Sequence, residues 1–334
     1  MPPRAVPTQN APDTGRTTLT PAQVDRFRVD TLALTGAVRG RIGLAVSGGG
    51  DSLAMLLLAN AAFPGQVEVA TVDHRLRPAA ADEAAFVAAL CAQRGIAHAT
   101  LAVEVPRQAN VSDAARQVRY AALYAWREKR GLDWIATAHH ADDQLETFVM
   151  RLNRASGLSG LAGIRAINGC VVRPLLGWRR SDLAQIVNAA GIEPVADPSN
   201  IDDRYDRARL RKQLAQCDLL DAFTVARSAA LLGEAEAALD AAIDILADRI
   251  SCGEDWATFD PARLTPELRR RLLGRCLAHV DPGSVPRGSA VARATAALDE
   301  GRRVSIGNAL VQVAQVPGGG IIWRVGKAPA RRTQ

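Results

Sequence analysis

Short apolar runs alternate with longer amphipathic stretches along the first half of the chain. Runs of Ile, Val, Leu and Ala typical of buried strands occur at 41–46, 67–72, 99–105 and 133–137. Stretches with the apolar spacing of a helix follow them at 51–62, 80–94, 110–130 and 141–154. Strands that alternate with helices of this length indicate βαβ units. The pattern therefore predicts an α/β domain with a doubly wound parallel sheet.

The remaining residues are predicted to form a tail, a linker and a second domain. Residues 1–18 are polar and proline-rich, which predicts a disordered tail before a helix at 21–38. The second half is expected to contain helices at 179–190, 221–250, 265–279 and 289–299, and strands at 303–315 and 320–325. The predicted organisation is an α/β domain at 19–220, a helical linker at 221–250 and a small α+β C-terminal domain at 251–330.

Composition limits the class of partner that the protein binds and the cell compartment in which it works. The net charge is +6 and 48% of the residues are apolar, which favours a globular protein with a polyanionic partner such as nucleic acid. The five cysteines form no C-x-x-C pair, which disfavours zinc and iron–sulfur sites and predicts reduced thiols in a cytoplasmic protein. No signal peptide is recognised, and no apolar run reaches the roughly 18 residues that a spanning helix needs, so no membrane partner is expected.

A glycine-rich turn follows the first predicted strand. Its residues are Ser47, Gly48, Gly49, Gly50, Asp51 and Ser52. The N–H groups of such a turn, together with the N-terminus of the next helix, point at a common space, which predicts a phosphate site. A carboxylate that faces phosphates is repelled unless a divalent cation lies between them, so Asp51 also predicts Mg²⁺. The alternative is a tight strand–helix turn without a ligand.

A second polar block follows the fourth predicted strand. It contains His139, His140, Asp142, Asp143 and Glu146. Residues three or four positions apart share a helix face, and carboxylates clustered at the edge of a sheet need a cation or a proton. The alternative is a helix N-terminus with favourable acidic residues, which does not account for the two histidines directly before them.

Further polar and basic residues accompany these two blocks. Asp73 and His74 follow the second predicted strand, so three polar stretches meet at the carboxyl edge of the sheet, where such sheets bind ligands. Arg116 and Arg119 lie one helical turn apart and are interpreted either as a phosphate clamp or as a solvated face. The basic run 204–212 suits RNA phosphates, or it is an ordinary solvated helix face.

Ordered blocks of sequence resemble a known family. Ser47–Ser52 resembles the signature of the ATP pyrophosphatase (PP-loop) superfamily. Six further blocks resemble, in order, those of the tRNA(Ile)-lysidine synthetases: Val72–Arg77, Ala115–Tyr120, Thr137–Thr147, Ser156–Leu161, Arg173–Leu176 and Asp197–Asn200. The chain departs from the family pattern at Ala155, where Gly is usual, and at Ala208, where Asn is usual.

The resemblance implies a ligase that uses ATP and Mg²⁺. The C2 oxygen of the wobble cytidine in tRNA(Ile) with a CAU anticodon would be adenylated, and L-lysine would then displace AMP. It implies ATP binding by 47–52 with Asp73 and His74, metal binding by Asp51, Asp143 and Glu146, and tRNA binding by Arg204, Arg207 and Arg211. The catalytic residues it implies are Asp51, Arg116, Arg119, His139, Asp143 and Glu146. A tRNA thiolase is the alternative, and the oligomeric state is left open, with a homodimer as one possibility.

Overall fold

The computed structural model describes residues 19–75, 79–106, 111–195, 206–284, 286 and 288–328. The chain divides into two compact units, Met1–Gly233 and Glu234–Gln334. The division falls inside the long helix Ala222–Leu246, so the segment predicted as a separate linker contributes to both units.

The first unit alternates strands and helices as predicted. Its helices, including the one that crosses the division, are α1 (Pro21–Thr35), α2 (Gly50–Ala62), α3 (Ala79–Gln93), α4 (Val111–Arg130), α5 (Ala141–Leu152), α6 (Leu158–Leu161), α7 (Arg180–Ala189), α8 (Asp206–Leu214) and α9 (Ala222–Leu246). Its strands are β1 (Ile42–Ala45), β2 (Val67–Asp73), β3 (Ala97–Ala102), β4 (Trp134–Ala136), β5 (Ile167–Asn168) and β6 (Val171–Val172).

The six strands form one sheet in the order β3-β2-β1-β4-β6-β5. All neighbours pair in parallel except β5, which runs antiparallel to β6. The chain fills the sheet outward from β1 in one direction and then from β4 in the other. The carboxyl ends of β1 and β4 therefore flank the crevice where doubly wound folds bind their ligands. The predicted fold class is confirmed.

The two faces of the sheet pack against different helices because successive strand residues point in opposite directions. On what we call the α2 face, Leu44, Val69 and Ala136 join the core around the apolar, buried helix α2. On the opposite side, the α4 face, the core contains Ala70, Leu123, Trp126, Leu132, Ile135 and Val171. Each strand thus delivers alternate residues to two separate environments.

Gly43 allows α4 to approach the sheet closely. A Cβ at this position in β1 would lie 2.5 Å from the indole of Trp126 and 2.8 Å from Leu132. Carbon atoms do not approach so closely in a packed core, so any side chain at position 43 would displace the helix.

The second unit is an α+β structure. Its antiparallel sheet has the order β7-β8-β11-β10-β9. The elements are β7 (Ser251–Cys252), β8 (Trp256–Phe259), α10 (Pro266–Val280), α11 (Gly288–Asp299), β9 (Val304–Ile306), β10 (Ala309–Gln315) and β11 (Ile321–Lys327), after a short 3₁₀ helix at Ala247–Arg249. Side chains of both helices and of the sheet form its core.

Several boundaries differ from the sequence predictions. The single strand predicted at 303–315 is wrong: β9 and β10 form a hairpin, since Gly307 adopts a φ of 57° and turns the chain back. The first helix ends at Thr35 rather than near residue 38 because Gly36 has a φ of 71°. The prediction also missed the short strands β5 to β8 and the helix α6.

None of the described helices is long and apolar enough to span a bilayer.

Candidate active site

The glycine turn joins β1 to α2 at the carboxyl edge of the sheet. Gly49 is the N-cap of α2 and offers no side-chain acceptor to the N–H groups of the first turn. Ser52 ties the turn to itself: its Oγ donates to the Gly49 carbonyl at 2.8 Å and accepts from the Ser47 N–H at 3.2 Å. Gly48 has a φ of 86°, which favours glycine. This arrangement presents backbone donors and the positive end of α2 to an anion.

Three carboxylates surround His140, whose side chain is only 2% exposed. Its Nε2 lies 3.4 Å from Asp51 Oδ2 and 3.5 Å from Asp143 Oδ2. Its Nδ1 lies 3.5 Å from Asp142 Oδ2, without the geometry of a hydrogen bond. Asp51 lies in the first turn of α2, whereas Asp142 and Asp143 lie in the first turn of α5. The helices after β1 and β4 thus bring Asp51 and Asp143 to one point.

The carboxylates hold His140 in its charged form. Burial alone would lower the pKa of His140, but the adjacent Asp142, Asp51 and Asp143 raise it to about 10. Burial likewise favours a higher pKa for Asp51, and the imidazolium of His140 overcomes this effect and lowers it. The pKa of Asp142 is lowered in the same way, with help from the Arg180 N–H that donates to Asp142 Oδ2 at 2.8 Å.

Arginines of α8 cover the next carboxylate of α5. Glu146 is 4% exposed, and its Oε1 and Oε2 accept from Arg211 Nε and Arg207 Nε, each at 2.6 Å. Arg207 also donates to Asp143 Oδ1 at 2.9 Å. Burial would raise the pKa of Glu146, but hydrogen bonds from these arginines lower it. The site is compact here because α5 places two carboxylates three residues apart, facing α8.

This geometry bears on two sequence predictions. Both oxygens of Glu146 are engaged by guanidinium groups, so the structure does not favour Glu146 as a metal ligand. Arg207 and Arg211, predicted to bind tRNA, point at carboxylates of the site rather than away from it. Arg204 lies outside the described residues.

His139 lies in the opposite electrostatic environment. Burial and nearby positive charges lower its pKa to about 3, so its ring is neutral at physiological pH. The charges belong to Arg173, Arg119, Arg116 and Arg207. Its Nδ1 lies 3.0 Å from Thr137 Oγ1. We call His139 with Arg116, Arg119 and Arg173 the arginine side of the site, and His140 with Asp51, Asp142 and Asp143 the carboxylate side; Arg207 pairs with Asp143 and acts on both.

His74 belongs to the arginine side as well. Burial and the charge of Arg119 lower its pKa, and its buried Nδ1 has no hydrogen-bond partner among the described residues. The neighbouring Asp73 uses Oδ1 to accept from the Arg75 N–H at 2.8 Å. The structure therefore places Asp73 and His74 at the edge of the sheet, where they were predicted, with Arg119 beside His74.

The alternation of the sheet separates the two sides. Ile135 packs on the α4 face and Ala136 on the α2 face. Ala138 also packs against the core on the α2 face, and His140 has an extended backbone, with a φ of −129° and a ψ of −179°. Counting onward, His139 is directed to the α4 face and His140 to the α2 face. Arg173 follows the same rule, since Val171 packs on the α4 face.

The donor set at the carboxylate side fits a divalent cation in part. No group of three His, Cys, Asp or Glu residues in the described ranges is arranged as a metal site. Asp51 and Asp143 nevertheless converge on one cationic nitrogen, so their carboxylates already meet around a positive charge. Two carboxylates with the other ligands from phosphate and water are typical of Mg²⁺ bound with a nucleotide.

Two residues central to the site were not among the predicted functional residues. The prediction included His140 in the polar block but assigned a catalytic role only to its neighbour His139. The alternation of strand residues would have placed the two side chains on opposite faces of the sheet. Arg173 was noted only as part of a motif. It is 4% exposed and its Nε has no hydrogen-bond partner in the described structure.

The two departures from the family pattern have distinct environments. Ala155 has a φ of 50°, a conformation that favours glycine, which accounts for the usual Gly at this position. Ala208 is buried, at 6% exposure, on α8 between the two arginines that hold Glu146.

Comparisons with known proteins identify the family of this chain. A family model described as a PP-loop domain matches residues 22–217. A tRNA(Ile)-lysidine synthase of Novosphingobium aromaticivorans is 44% identical, covering 92% of this chain and 94% of its own length. Another from Zymomonas mobilis is 39% identical over 90% and 92% of the two chains. A solved U34-tRNA thiolase from Methanococcus maripaludis shares the fold, with a TM-score of 0.52 over 63% of this chain and 79% of its own, at 15% identity.

Proposed function

The chain belongs to the tRNA(Ile)-lysidine synthase family of PP-loop proteins, and from this premise we propose how its two-sided site performs the reaction. Membership makes it an ATP-using, tRNA-modifying ligase. Our finer assignments are tRNA(Ile) with a CAU anticodon, its wobble cytidine as the modified base, L-lysine as the second substrate and Mg²⁺ as the metal.

The convergence of Asp51 and Asp143 beside the glycine turn carries the proposal. The turn presents donors to phosphates, and the two carboxylates meet within the same crevice between β1 and β4. The arginine side faces them across the carboxyl end of β4. The metal ion and the reacting phosphate with the RNA base therefore have oppositely charged surfaces at which to bind.

In the first step, the C2 oxygen of cytidine attacks the α-phosphate of ATP and pyrophosphate leaves. The turn at Ser47–Ser52 and the N-terminus of α2 are proposed to hold the departing phosphates. Arg116 and Arg119 are proposed to stabilise negative charge that develops at the α-phosphate. His139 is neutral, with a pKa of about 3, so we assign it a hydrogen-bonding rather than a proton-accepting role.

Asp51 and Asp143 are the residues we propose to hold Mg²⁺. The bound ion would supply positive charge against the triphosphate. Glu146 is left out of this set because Arg207 and Arg211 occupy its oxygens.

In the second step, the ε-amine of lysine attacks C2 of the activated base and AMP leaves. Positioning the amine against C2 turns the attack into an effectively unimolecular step. The amine must lose protons to become a nucleophile, and bulk water is the proposed acceptor.

Contacts with the tRNA are proposed for both units. Arg207 and Arg211 can reach RNA phosphates only after leaving Glu146, so their part in tRNA binding requires a movement of α8. In the second unit, arginines of α10 pair with carboxylates: Arg269, Arg270, Arg271 and Arg275. The exposed Arg324, 5.9 Å over the ring of Trp256, is the better candidate there, since RNA readers combine cations with aromatic faces.

The test of the proposed function is product analysis. The full chain is incubated with ATP, Mg²⁺, L-lysine and a tRNA(Ile) transcript with a CAU anticodon. We expect AMP formation that requires lysine, and lysidine in the digested RNA by mass spectrometry. The matched control is the same transcript with uridine at the wobble position, which should stay unmodified. Turnover that needs a sulfur donor instead of lysine would favour the thiolase.

Two remaining assignments are also proposals. The cytoplasm is the proposed compartment because tRNA is modified there. A homodimer is tested by light scattering on the purified chain, and a single-chain mass would exclude it.

A further inference from the structure

Arg173 is a buried cation without a counter-ion in the part of the chain that the structure describes. Its side chain donates from Nη1 to the Arg165 carbonyl at 2.6 Å and from Nη2 to the Tyr120 hydroxyl at 3.5 Å. Its Nε has no partner, and no carboxylate of the described residues forms an ion pair with it. A buried charge that is not paired destabilises the folded state. Such a group is expected where a ligand brings the missing negative charge.

The surroundings of Arg173 are positive as well. Arg116 and Arg119 lie one turn apart on α4, and Arg151 and Arg165 follow from the next elements of the chain. Burial, then the proximity of Arg165 and Arg116, lowers the pKa of Arg151. Guanidinium groups held this close to one another favour an anion with several acceptor oxygens.

An aromatic surface adjoins this positive region. The rings of Tyr120 and Tyr124 lie 6.0 Å apart at an angle of 38°. Arg116 and Arg119 lie 5.1 Å and 5.6 Å from the centre of the Tyr120 ring, so Tyr120 is covered by cations. Tyr124 is 36% exposed and has ring surface left for a further contact. Bases of single-stranded RNA stack on exposed aromatic rings of this kind.

We propose that Arg173 binds a phosphodiester of the RNA strand beside the target cytidine, and that Tyr124 stacks on a neighbouring base of the same strand. This inference rests on the proposed function. A phosphate of ATP has the same chemistry, and Arg116 and Arg119 are assigned to its α-phosphate, but Arg173 donates to the Tyr120 hydroxyl, and the Tyr120 ring lies beside the exposed ring of Tyr124. The Arg173 and Tyr124 pair therefore forms a seat for the RNA rather than for the nucleotide.

The substitution Arg173→Met tests the seat. It keeps the length of the side chain and removes the charge. We expect the dissociation constant for the tRNA transcript to rise about tenfold or more. The slope of log affinity against log salt concentration should become shallower by about 0.7, the value for one phosphate contact on a single strand. The dissociation constant for ATP, measured without RNA, should stay within about twofold. The midpoint of thermal unfolding should be unchanged or higher, because an unpaired buried charge is removed.

Arg41→Met is the matched control. Arg41 carries the same charge but pairs with Glu68, which keeps Arg130 at 2.8 Å as a second partner. This control should leave the affinity for tRNA unchanged. Arg173→Lys should recover part of the affinity, since it restores the charge without the planar fork.

Other outcomes would overturn the inference in distinguishable ways. A lower unfolding midpoint with unchanged tRNA affinity would show that Arg173 is structural. Loss of ATP affinity in the absence of RNA would show that Arg173 binds a phosphate of the nucleotide. Unchanged affinities for both ATP and tRNA would show that Arg173 binds neither. Lysidine formation by the unaltered chain checks the proposed function separately.

Substitutions of Tyr124 test the stacking part of the proposal. Tyr124→Phe should preserve tRNA affinity and Tyr124→Leu should weaken it several-fold. Equal behaviour of the two variants would exclude stacking.

Discussion

His139 and His140 are neighbours in the chain but belong to regions of opposite charge. On the carboxylate side, Asp51, Asp142 and Asp143 raise the pKa of His140 to about 10. On the arginine side, burial and four guanidinium groups lower the pKa of His139 to about 3. The residue type is identical and burial acts in the same direction on both rings. The neighbours alone decide which histidine carries a proton.

The comparison shows how a sheet separates charges over a short distance. Consecutive residues of an extended chain point to opposite faces, so one step along the chain moves a side chain from the α2 face to the α4 face. A positive region for RNA and the reacting phosphate, and a negative region for the metal ion, can therefore be built from one short segment. The following predictions test this separation.

Asp143→Ala is expected to have the largest effect. It removes one of the two carboxylates proposed for Mg²⁺, so adenylation should fall by about 10³-fold, comparable to the loss of a major electrostatic contact in a transition state. The affinity for tRNA should change only a few-fold. Rates of AMP formation and filter binding of tRNA measure the two effects. Asp142→Asn is the control, because it changes the same charge beside His140 without touching the proposed metal ligands; an equal loss in both variants would contradict the assignment.

His140→Asn should destabilise the fold by roughly 3 kcal/mol near neutral pH, since it leaves carboxylates without their cation. In the unaltered chain the folded pKa of about 10 exceeds the ordinary 6.5. The stabilisation is therefore complete below about pH 6.5 and is lost as the pH rises towards 10. Urea unfolding in metal-free buffer across this range should show the loss, and the variant should show a flatter profile. Parallel profiles would contradict a charged His140.

His139→Asn should change the acid side of the same profile. The folded pKa of about 3 lies below 6.5, so the unfolded state binds a proton that the folded state does not. Stability is expected to fall as the pH drops below 6.5, by up to about 1.4 kcal/mol per pH unit for one proton. The variant lacks this contribution, so its unfolding free energy should decline less steeply than that of the unaltered chain. An unchanged slope would place His139 outside the positive region.

Ala155→Gly should have the smallest effect. It serves as a control substitution outside both the arginine side and the carboxylate side. Ala155 holds a φ of 50°, so glycine should stabilise the fold by about 1 kcal/mol. The dependence of the unfolding free energy on pH should stay the same on both the acid and the alkaline side. A change in the pH dependence would mean that the loop after α5 influences the histidines.

The sequence was sufficient to predict the architecture and the meeting of Asp51 with Asp143. Strand and helix periods identify βαβ units, and the carboxyl ends of parallel strands share one edge. The hairpin of β9 and β10 was missed because the apolar pattern continues through its turn, where only Gly307 signals a reversal.

The orientation of the basic residues was not predictable from their spacing. Arg207 and Arg211 belong to a run that looks solvated, yet they face α5 because Glu146 and Asp143 attract them. Arg173 carries no local signal for burial, since α4, which is distant in sequence, contributes Tyr120 to its environment beside the nearby carbonyl of Arg165. Such contacts depend on tertiary packing and not on local periodicity.

One absent methyl group helps to set the spacing within the active centre. The strand that leads into the glycine turn contains Gly43, and the indole of Trp126 fills the volume where a side chain would be. Trp126 lies two helical turns beyond Arg119 on the same rigid helix. The contact between Gly43 and Trp126 therefore helps to set the distance between the glycine turn and the guanidinium groups of α4, so a mutation at Gly43 would slow catalysis without altering any group that touches a substrate.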